Sequence, residues 1–128
     1  MLIGEQNNVI RSDEITPLTD TRLVNYSMCL VNGNFVYVTG GQSGINTVAN
    51  CHRYDIVRNI WQEMQPMRQP RGAHSSCQLA AHIYVFCGVD CGKINSVEKL
   101  SIDSDPNTQV SKTWELIPKT KLTALPGL

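Results

Sequence analysis

Short runs of apolar and β-branched residues, separated by polar turns, dominate the middle of the chain. Residues 26–31 and 35–39 are two such runs, and Asn32 and Gly33 lie between them. An Asn-Gly pair between apolar runs predicts a tight hairpin, because both turn residues must adopt positive φ. Residues 75–79 and 83–86 form a second pair around Ala80-Ala81, and no segment shows a convincing helical period.

Further runs complete each pair to a set of four predicted strands. The third strands are residues 50–55 and 96–102, and the fourth are residues 60–64 and 113–117. The second strands are apolar without alternation, which is typical of strands covered on both faces. The pattern therefore predicts two four-stranded antiparallel sheets, each buried on both sides.

The two sets are copies of an internal repeat. Residues 30–41 align with 77–88 at an offset of 47, residues 51–55 align with 97–101 at an offset of 46, and Trp61 aligns with Trp114 at an offset of 53. Residues 66–71 have an earlier copy in 17–22, and residues 13–18 resemble a leftover fourth strand. Changing offsets place insertions in loops. Sheets of this kind, repeated along a chain, stack as blades around an axis.

The repeated residues resemble the kelch repeat, a β-propeller blade. The first copy has Gly40-Gly41, Tyr54 and Trp61, followed by Met67 and Pro70-Arg71. The second copy has Cys87-Gly88, Leu100 and Trp114 at the matching points. The resemblance implies an all-β fold of two kelch blades, residues 23–67 and 68–118. An N-terminal segment (1–22) with the leftover strand and a tail (119–128) flank the blades.

Two of the matched features, the double glycine and the first tryptophan, lead to specific expectations about backbone conformation and burial. A double glycine suits a tight exit from the second strand, and Cys87 in its place suggests that one position requires positive φ less strictly. Trp61 is expected to be buried between blades, in which case Trp61→Ala would cost about 3–5 kcal/mol of stability.

Two blades do not close a ring, since propellers have four to eight blades. Each blade buries one face on each neighbour, so two blades leave two apolar sheet faces uncovered. We therefore expect this chain to be part of a larger propeller, or to complete one with other chains.

Charge and composition exclude several classes. The chain has 128 residues, with 11 basic and 11 acidic side chains and no net charge. A nucleic-acid binder that neutralises phosphates would show a basic excess. No run of 18 apolar residues predicts a membrane span, and the N-terminus does not resemble a signal peptide. With an odd count of 5 cysteines, the expectation is a cytoplasmic protein with reduced thiols.

Candidate catalytic and metal sites are weak. Cys87 and Cys91 have zinc-like spacing, but a second ligand pair is missing, so neither a metal nor a cofactor is predicted. Residues 103–107 begin like a calcium loop, but position six is Thr108 rather than Gly, which favours a polar hairpin insertion. His74 and Cys77 are expected on opposite faces of one strand, which disfavours a nucleophile pair.

The resemblance implies a binding surface over the loops after each second strand and before each first strand. The corresponding residues here are Asn25, Tyr26, Gln42, Ser43, Arg71, His74, Ser75, Val89 and Asp90. The Arg71 guanidinium could clasp a carboxylate or phosphate of a partner, or could brace the turn of the neighbouring blade. His74 is expected to be a packed or capping histidine more readily than a ligand.

Three functions remain, in order of preference. The first is a protein-interaction scaffold that binds a partner peptide or loop, and the resemblance implies roles such as a ubiquitin ligase adaptor or a cytoskeletal scaffold. The second is a structural subunit that completes a propeller with further blades or other copies of the chain. The third is a propeller enzyme such as an oxidase, which the three histidines do not favour.

Overall fold

The computed structural model describes residues 22–118, and within them all regular elements except one helical turn are β-strands. The predicted strand at 13–18 and the tail at 119–128 lie outside the described residues. In chain order the elements are β1 (Leu23–Val24), β2 (Ser27–Val31), β3 (Phe35–Thr39), β4 (Gln42–Ser43), β5 (Asn46–Thr47), β6 (Cys51–Asp55), β7 (Ile60–Met64), β8 (Ser75–Leu79), β9 (His82–Phe86), β10 (Val97–Ser101), α1 (Pro106–Gln109) and β11 (Glu115–Leu116).

Two four-stranded antiparallel sheets, here called blade 1 and blade 2, form the body of the molecule. Blade 1 has the order β2-β3-β6-β7, and blade 2 has the order β8-β9-β10-β11 from its inner edge outward. The first hairpin turns at Asn32 and Gly33, which have φ of 52° and 77°. The prediction of four-stranded antiparallel blades in an open arrangement is confirmed.

The core lies between the blades, because each sheet turns one apolar face to the other. Cys29, Val31 and Tyr37 of blade 1 cluster with Ile83 and Val85 of blade 2. Trp114 is also fully buried in this cluster, and its indole Nε1 donates to the Gln65 carbonyl at 3.1 Å. This bond ties the residue before the last strand of blade 2 to the segment that leaves blade 1.

Side chains on the inner strands hold the blades in register. The Ser27 and Ser76 hydroxyls lie 2.6 Å apart. The Gln78 side chain accepts from the Asn32 amide at 3.0 Å and donates to Asn32 Oδ1 at 2.8 Å. Strands β2 and β8 therefore lie side by side as the inner strands of neighbouring blades.

The outward face of blade 1 carries exposed apolar side chains. Met28 and Leu30 are 60% and 58% exposed, whereas the alternating residues Cys29 and Val31 point into the core. Trp61 lies on this outward face, half-buried, with its ring 5.0 Å from that of Tyr54. The expected burial of Trp61 between blades is therefore not met within residues 22–118, because blade 2 covers the opposite face of the sheet.

The interpretation of Cys87 from the sequence was wrong. Gly40 and Cys87 have φ of 60° and 57°, so both repeats use the left-handed region at this point. The two repeats differ instead in the room available for a side chain at this position. A Cβ at Gly40 would lie 2.2 Å from the Arg71 carbonyl oxygen, whereas the Cys87 side chain is exposed.

The insertion before Trp114 contains a single helical turn, α1, where the sequence predicted a polar hairpin. Asp105 caps α1 by accepting from the Asn107 amide at 2.9 Å, and Pro106 begins the turn. The buried Gln109 side chain donates to the Ser101 carbonyl at 2.8 Å. The acidic residues of the insertion therefore serve as turn and cap acceptors.

Across residues 22–118, no helix has the length and apolar character that crossing a membrane requires.

Candidate protein-binding face

Four loops meet at one end of the two blades. Ser27 pairs with Thr39 and Ser75 pairs with Phe86, so each inner strand begins where its neighbour ends. The loops at this end are residues 23–26, 40–47, 72–75 and 87–93, here called the loop face. The opposite end, here called the turn face, carries the hairpin turns and the insertion with α1.

Backbone hydrogen bonds join the loops of the two blades. The Ala73 amide donates to the Asn25 carbonyl at 2.8 Å, and the Gly41 amide donates to the Arg71 carbonyl at 2.7 Å. Gly72 and Val89 exchange bonds of 3.0 and 2.9 Å. The loop face is therefore a continuous surface across both blades.

A small three-stranded sheet builds the blade 1 part of this face. Strand β4 pairs with both β1 and β5, so residues 23–24 and 42–47 fold over the end of blade 1. The Asn25 side chain donates to Gln42 Oε1 at 2.7 Å and closes the edge of this sheet.

Arg71 lies at the base of the loop face and has no exposed surface. Its guanidinium pairs with Glu98 at 3.0 Å and donates to the Ser96 and Cys87 carbonyls at 2.7 and 2.9 Å. The Glu98 carboxylate also accepts from the amides of Arg68 and Gln69. Of the two roles considered for Arg71, the geometry matches the brace, because every donor direction is used inside the chain.

His74 is buried beside Arg71. Its Nε2 lies 2.8 Å from Thr39 Oγ1, and its Nδ1 has no hydrogen-bond partner among the described residues. Burial, together with the nearby Arg71 charge, lowers the pKa of His74 to about 4. The imidazole is therefore neutral at physiological pH and packs under the loops rather than reaching a partner.

The remaining candidate residues do reach the surface. Asn25, Tyr26 and Ser75 are exposed, and Gln42, Ser43 and Asp90 are half-buried. Sequence reasoning missed two residues, because Val24 is more than half exposed and Ile45 is fully exposed at the tip of the β4–β5 turn. A large apolar residue directly after Gly44, in an obvious turn, is the sequence signal that could have identified Ile45.

Within residues 22–118, no three His, Cys, Asp or Glu side chains come together in an arrangement that could hold a metal ion. Cys87 and Cys91 are both exposed, and Cys77 is exposed while His74 is buried.

Comparison with known proteins gives one family. The Kelch motif matches residues 22–68. The chain is 38% identical over 72 residues to Kelch-like protein 22 of Xenopus tropicalis, covering 54% of this chain and 11% of that protein. It is 43% identical over 53 residues to Kelch-like protein 21 of Danio rerio, covering 41% of this chain and 9% of that protein. It is 30% identical over 94 residues to an F-box/kelch-repeat protein of Arabidopsis thaliana, covering 72% of this chain and 20% of that protein. The chain thus spans a fifth or less of the length of these relatives.

Proposed function

We propose that this chain, which belongs to the kelch-repeat family, is a protein-interaction scaffold that binds a partner peptide or loop on its loop face. The observation that carries the proposal is a set of exposed apolar side chains held on loops that are anchored to both blades. These side chains are Val24, Tyr26, Ile45 and Val89.

The anchoring makes the loop face a rigid platform. The buried Arg71–Glu98 pair and the bonds between Gly72 and Val89 hold the loops from below. A preformed surface loses little conformational entropy when a partner binds, so more of the contact energy appears as affinity.

The exposed side chains define the chemistry of the partner. Tyr26 and Ile45 offer apolar contact area, and aromatic residues are enriched among interface hot spots. Asn25 and Ser75 add polar groups beside them. A peptide or loop with apolar side chains and free backbone hydrogen-bonding groups matches this surface.

Within this proposal, the blades serve as the recognition part of a larger protein, either a substrate adaptor of a ubiquitin ligase or a cytoskeletal scaffold. The support for this finer role is the set of Kelch-like and F-box/kelch-repeat relatives alone.

We further propose a reducing, cytoplasmic location. In its support, burial raises the pKa of the Cys51 thiol to about 12 and also raises that of Cys29, which suits buried reduced thiols.

Selection of peptides from a displayed random library on the 128-residue chain tests the loop face. We expect the enriched peptides to bind Ile45→Asp at least tenfold more weakly, because a charge at this position would meet the apolar side chains of the peptide. Val57→Asp is the matched control, since Val57 is also an exposed apolar residue but lies on the turn face. An equal loss of peptide affinity in both variants, or no loss of affinity in either, would contradict the proposal.

A second candidate function is a structural subunit that completes a propeller with further blades. The observation that favours it is the outward face of blade 1, where Met28 and Leu30 are exposed on the inner strand. In this role, the face takes another blade of the same kind, packed as blade 2 packs on the opposite face.

A further inference from the structure

We propose that a cleft on the turn face binds a carboxylate group through Arg53. The cleft has a volume of about 180 Å³ and lies between the first hairpin of blade 1 and the insertion of blade 2. It is at the opposite end of the blades from the loop face, so the inference does not depend on the proposed function.

Arg53 is a buried cation whose hydrogen bonds within residues 22–118 all go to neutral groups. It lies in β6 with 1% of its surface exposed, and its guanidinium carbon is 4.5 Å from the centre of the Phe35 ring. Its Nε donates to Gln62 Oε1 at 3.0 Å. Its Nη2 donates to the same oxygen and to the Pro106 carbonyl at 3.2 Å. A further hydrogen bond links Arg53 to Tyr37. These bonds use four of the five guanidinium N–H donors, so Arg53, which lines the cleft, retains donor capacity.

Tyr37 lines the cleft beside Arg53. Burial raises the pKa of the Tyr37 hydroxyl, and a hydrogen bond from Arg53 together with its charge partly offsets that rise. The Tyr37 hydroxyl is therefore protonated at neutral pH and adds no negative charge to balance Arg53.

The two buried arginines differ in their charge balance. Arg71 has the Glu98 carboxylate at 3.0 Å. No carboxylate among residues 22–118 forms an ion pair with Arg53. A buried charge without a counter-charge is costly, and a guanidinium binds a carboxylate in a favourable forked geometry. A bound carboxylate would supply what Glu98 supplies to Arg71.

The nearby acidic side chains are already engaged elsewhere. Asp55 lies 3.7 Å from Arg58 and accepts from the backbone amides of the following turn. Asp103 lines the cleft, lies 3.6 Å from Lys112 and accepts from the Asp105 amide at 2.9 Å. Neither carboxylate is within ion-pair distance of the Arg53 guanidinium.

The lining of the cleft favours one kind of anion. Val31, Phe35 and Ile102 give it apolar walls that suit methylene groups. The Asp103 carboxylate repels a doubly charged phosphate more strongly than a singly charged carboxylate. The ligand chemistry is therefore a carboxylate on a short aliphatic chain, either a glutamate-like side chain of a partner protein or a free small carboxylic acid.

Titration of the ¹⁵N-labelled 128-residue chain with butyrate, and separately with the peptide acetyl-Gly-Glu-Gly-amide, tests this inference. We expect saturable shifts of the Arg53 Nε–H signal and of the amides of residues 102–109, with midpoints roughly in the millimolar range. Butyramide has the same shape without the charge and should bind at least tenfold more weakly. Equal midpoints for butyrate and the peptide indicate a free acid as ligand, and a peptide that binds at least tenfold tighter indicates a partner side chain.

Two variants with matched controls complete the test. Arg53→Gln should abolish the shifts, while Arg58→Gln removes an exposed arginine of the same blade and should not. In case Arg53→Gln does not fold, Ser104→Trp fills the cleft and should also abolish them, whereas Thr113→Trp, on the same insertion but outside the cleft lining, should not. The inference is overturned if neither carboxylate gives saturable shifts, if butyramide or phosphate binds as well as butyrate, or if Ser104→Trp leaves the midpoints unchanged.

Discussion

At the scale of single residues, the chain shows how one backbone conformation can be built from different side chains. Gly40 and Cys87 share positive φ, but only Gly40 lies against the Arg71 carbonyl. Arg53 and Arg71 are likewise both buried, yet among residues 22–118 only Arg71 has a carboxylate partner. Residue type alone does not distinguish these cases, because space and counter-charge come from distant parts of the chain.

Gly40→Ala and Gly44→Ala separate conformational strain from crowding. Both glycines have positive φ, but no atom of the described part of the chain lies within 4 Å of a Cβ built at Gly44. We expect Gly44→Ala to cost about 1–2 kcal/mol from the left-handed conformation alone. Gly40→Ala should cost about 1–3 kcal/mol more, because its Cβ overlaps backbone and side-chain atoms. Urea denaturation measures the free energy of unfolding of both variants. Equal losses of stability would show that the structure relieves the crowding at Gly40.

His74 predicts a pH dependence of stability. Its folded pKa of about 4 lies below the ordinary value of 6.5, so the unfolded chain takes up a proton first as the pH falls. The contribution of His74 to the free energy of unfolding is therefore fully present above pH 6.5 and is lost as the pH falls from 6.5 to 4. We expect the wild type to lose about 2–3 kcal/mol more than His74→Gln across this window. Urea midpoints at pH 7 and pH 4 test it, since the other titrating groups cancel in the comparison.

At the scale of elements, the strands of both blades were predictable and the small elements were not. Apolar runs around tight turns identify the strands, most clearly β3 and β9, which bury consecutive residues and therefore both faces. The two-residue strands β1, β4 and β5 and the single turn α1 are too short to show a period, and of these four elements only β1 is apolar. Their positions depend on caps such as Asp105 and on the ends of the blades they cover.

The two tryptophans should contribute unequally to stability. Trp114 is fully buried between the blades, whereas Trp61 is half-buried on the outward face of blade 1. We expect Trp114→Ala to cost about 3–5 kcal/mol. Trp61→Ala should cost about 1–2 kcal/mol, because part of its surface already contacts water. A larger loss for Trp61→Ala in chemical denaturation would mean that another element covers it.

At the scale of the whole molecule, the repeat explains both the core and the uncovered surface. Each sheet has two apolar faces, and two blades can cover only the inner face of each. Met28 and Leu30 on the outward face are the clearest result of this geometry. The proposed loop face, by contrast, lies at the end of the blades and stays open however the outward faces are covered.

Self-association tests the assembly role. The monomer mass is 14.2 kDa. If the outward face takes further blades, light scattering should give a larger mass that rises with concentration. Leu30→Lys should return it to the monomer value, because a charge would then be buried in the contact. Val57→Lys adds the same charge on an exposed turn and is the control. A wild-type monomer at every concentration would argue against this role.

The order of residues alone was sufficient for the main strands of the two blades, their pairing into two repeated sheets and the resemblance to the kelch repeat, since these follow from local apolar pattern, turn chemistry and matched spacing. Only the folded arrangement showed that Arg71 is a buried brace and that Cys87 keeps positive φ. It also showed that Ile45 is exposed on the loop face and that Arg53 lines a cleft. These properties depend on what distant segments bring within a few ångströms of each side chain. A local sequence pattern does not determine those distances.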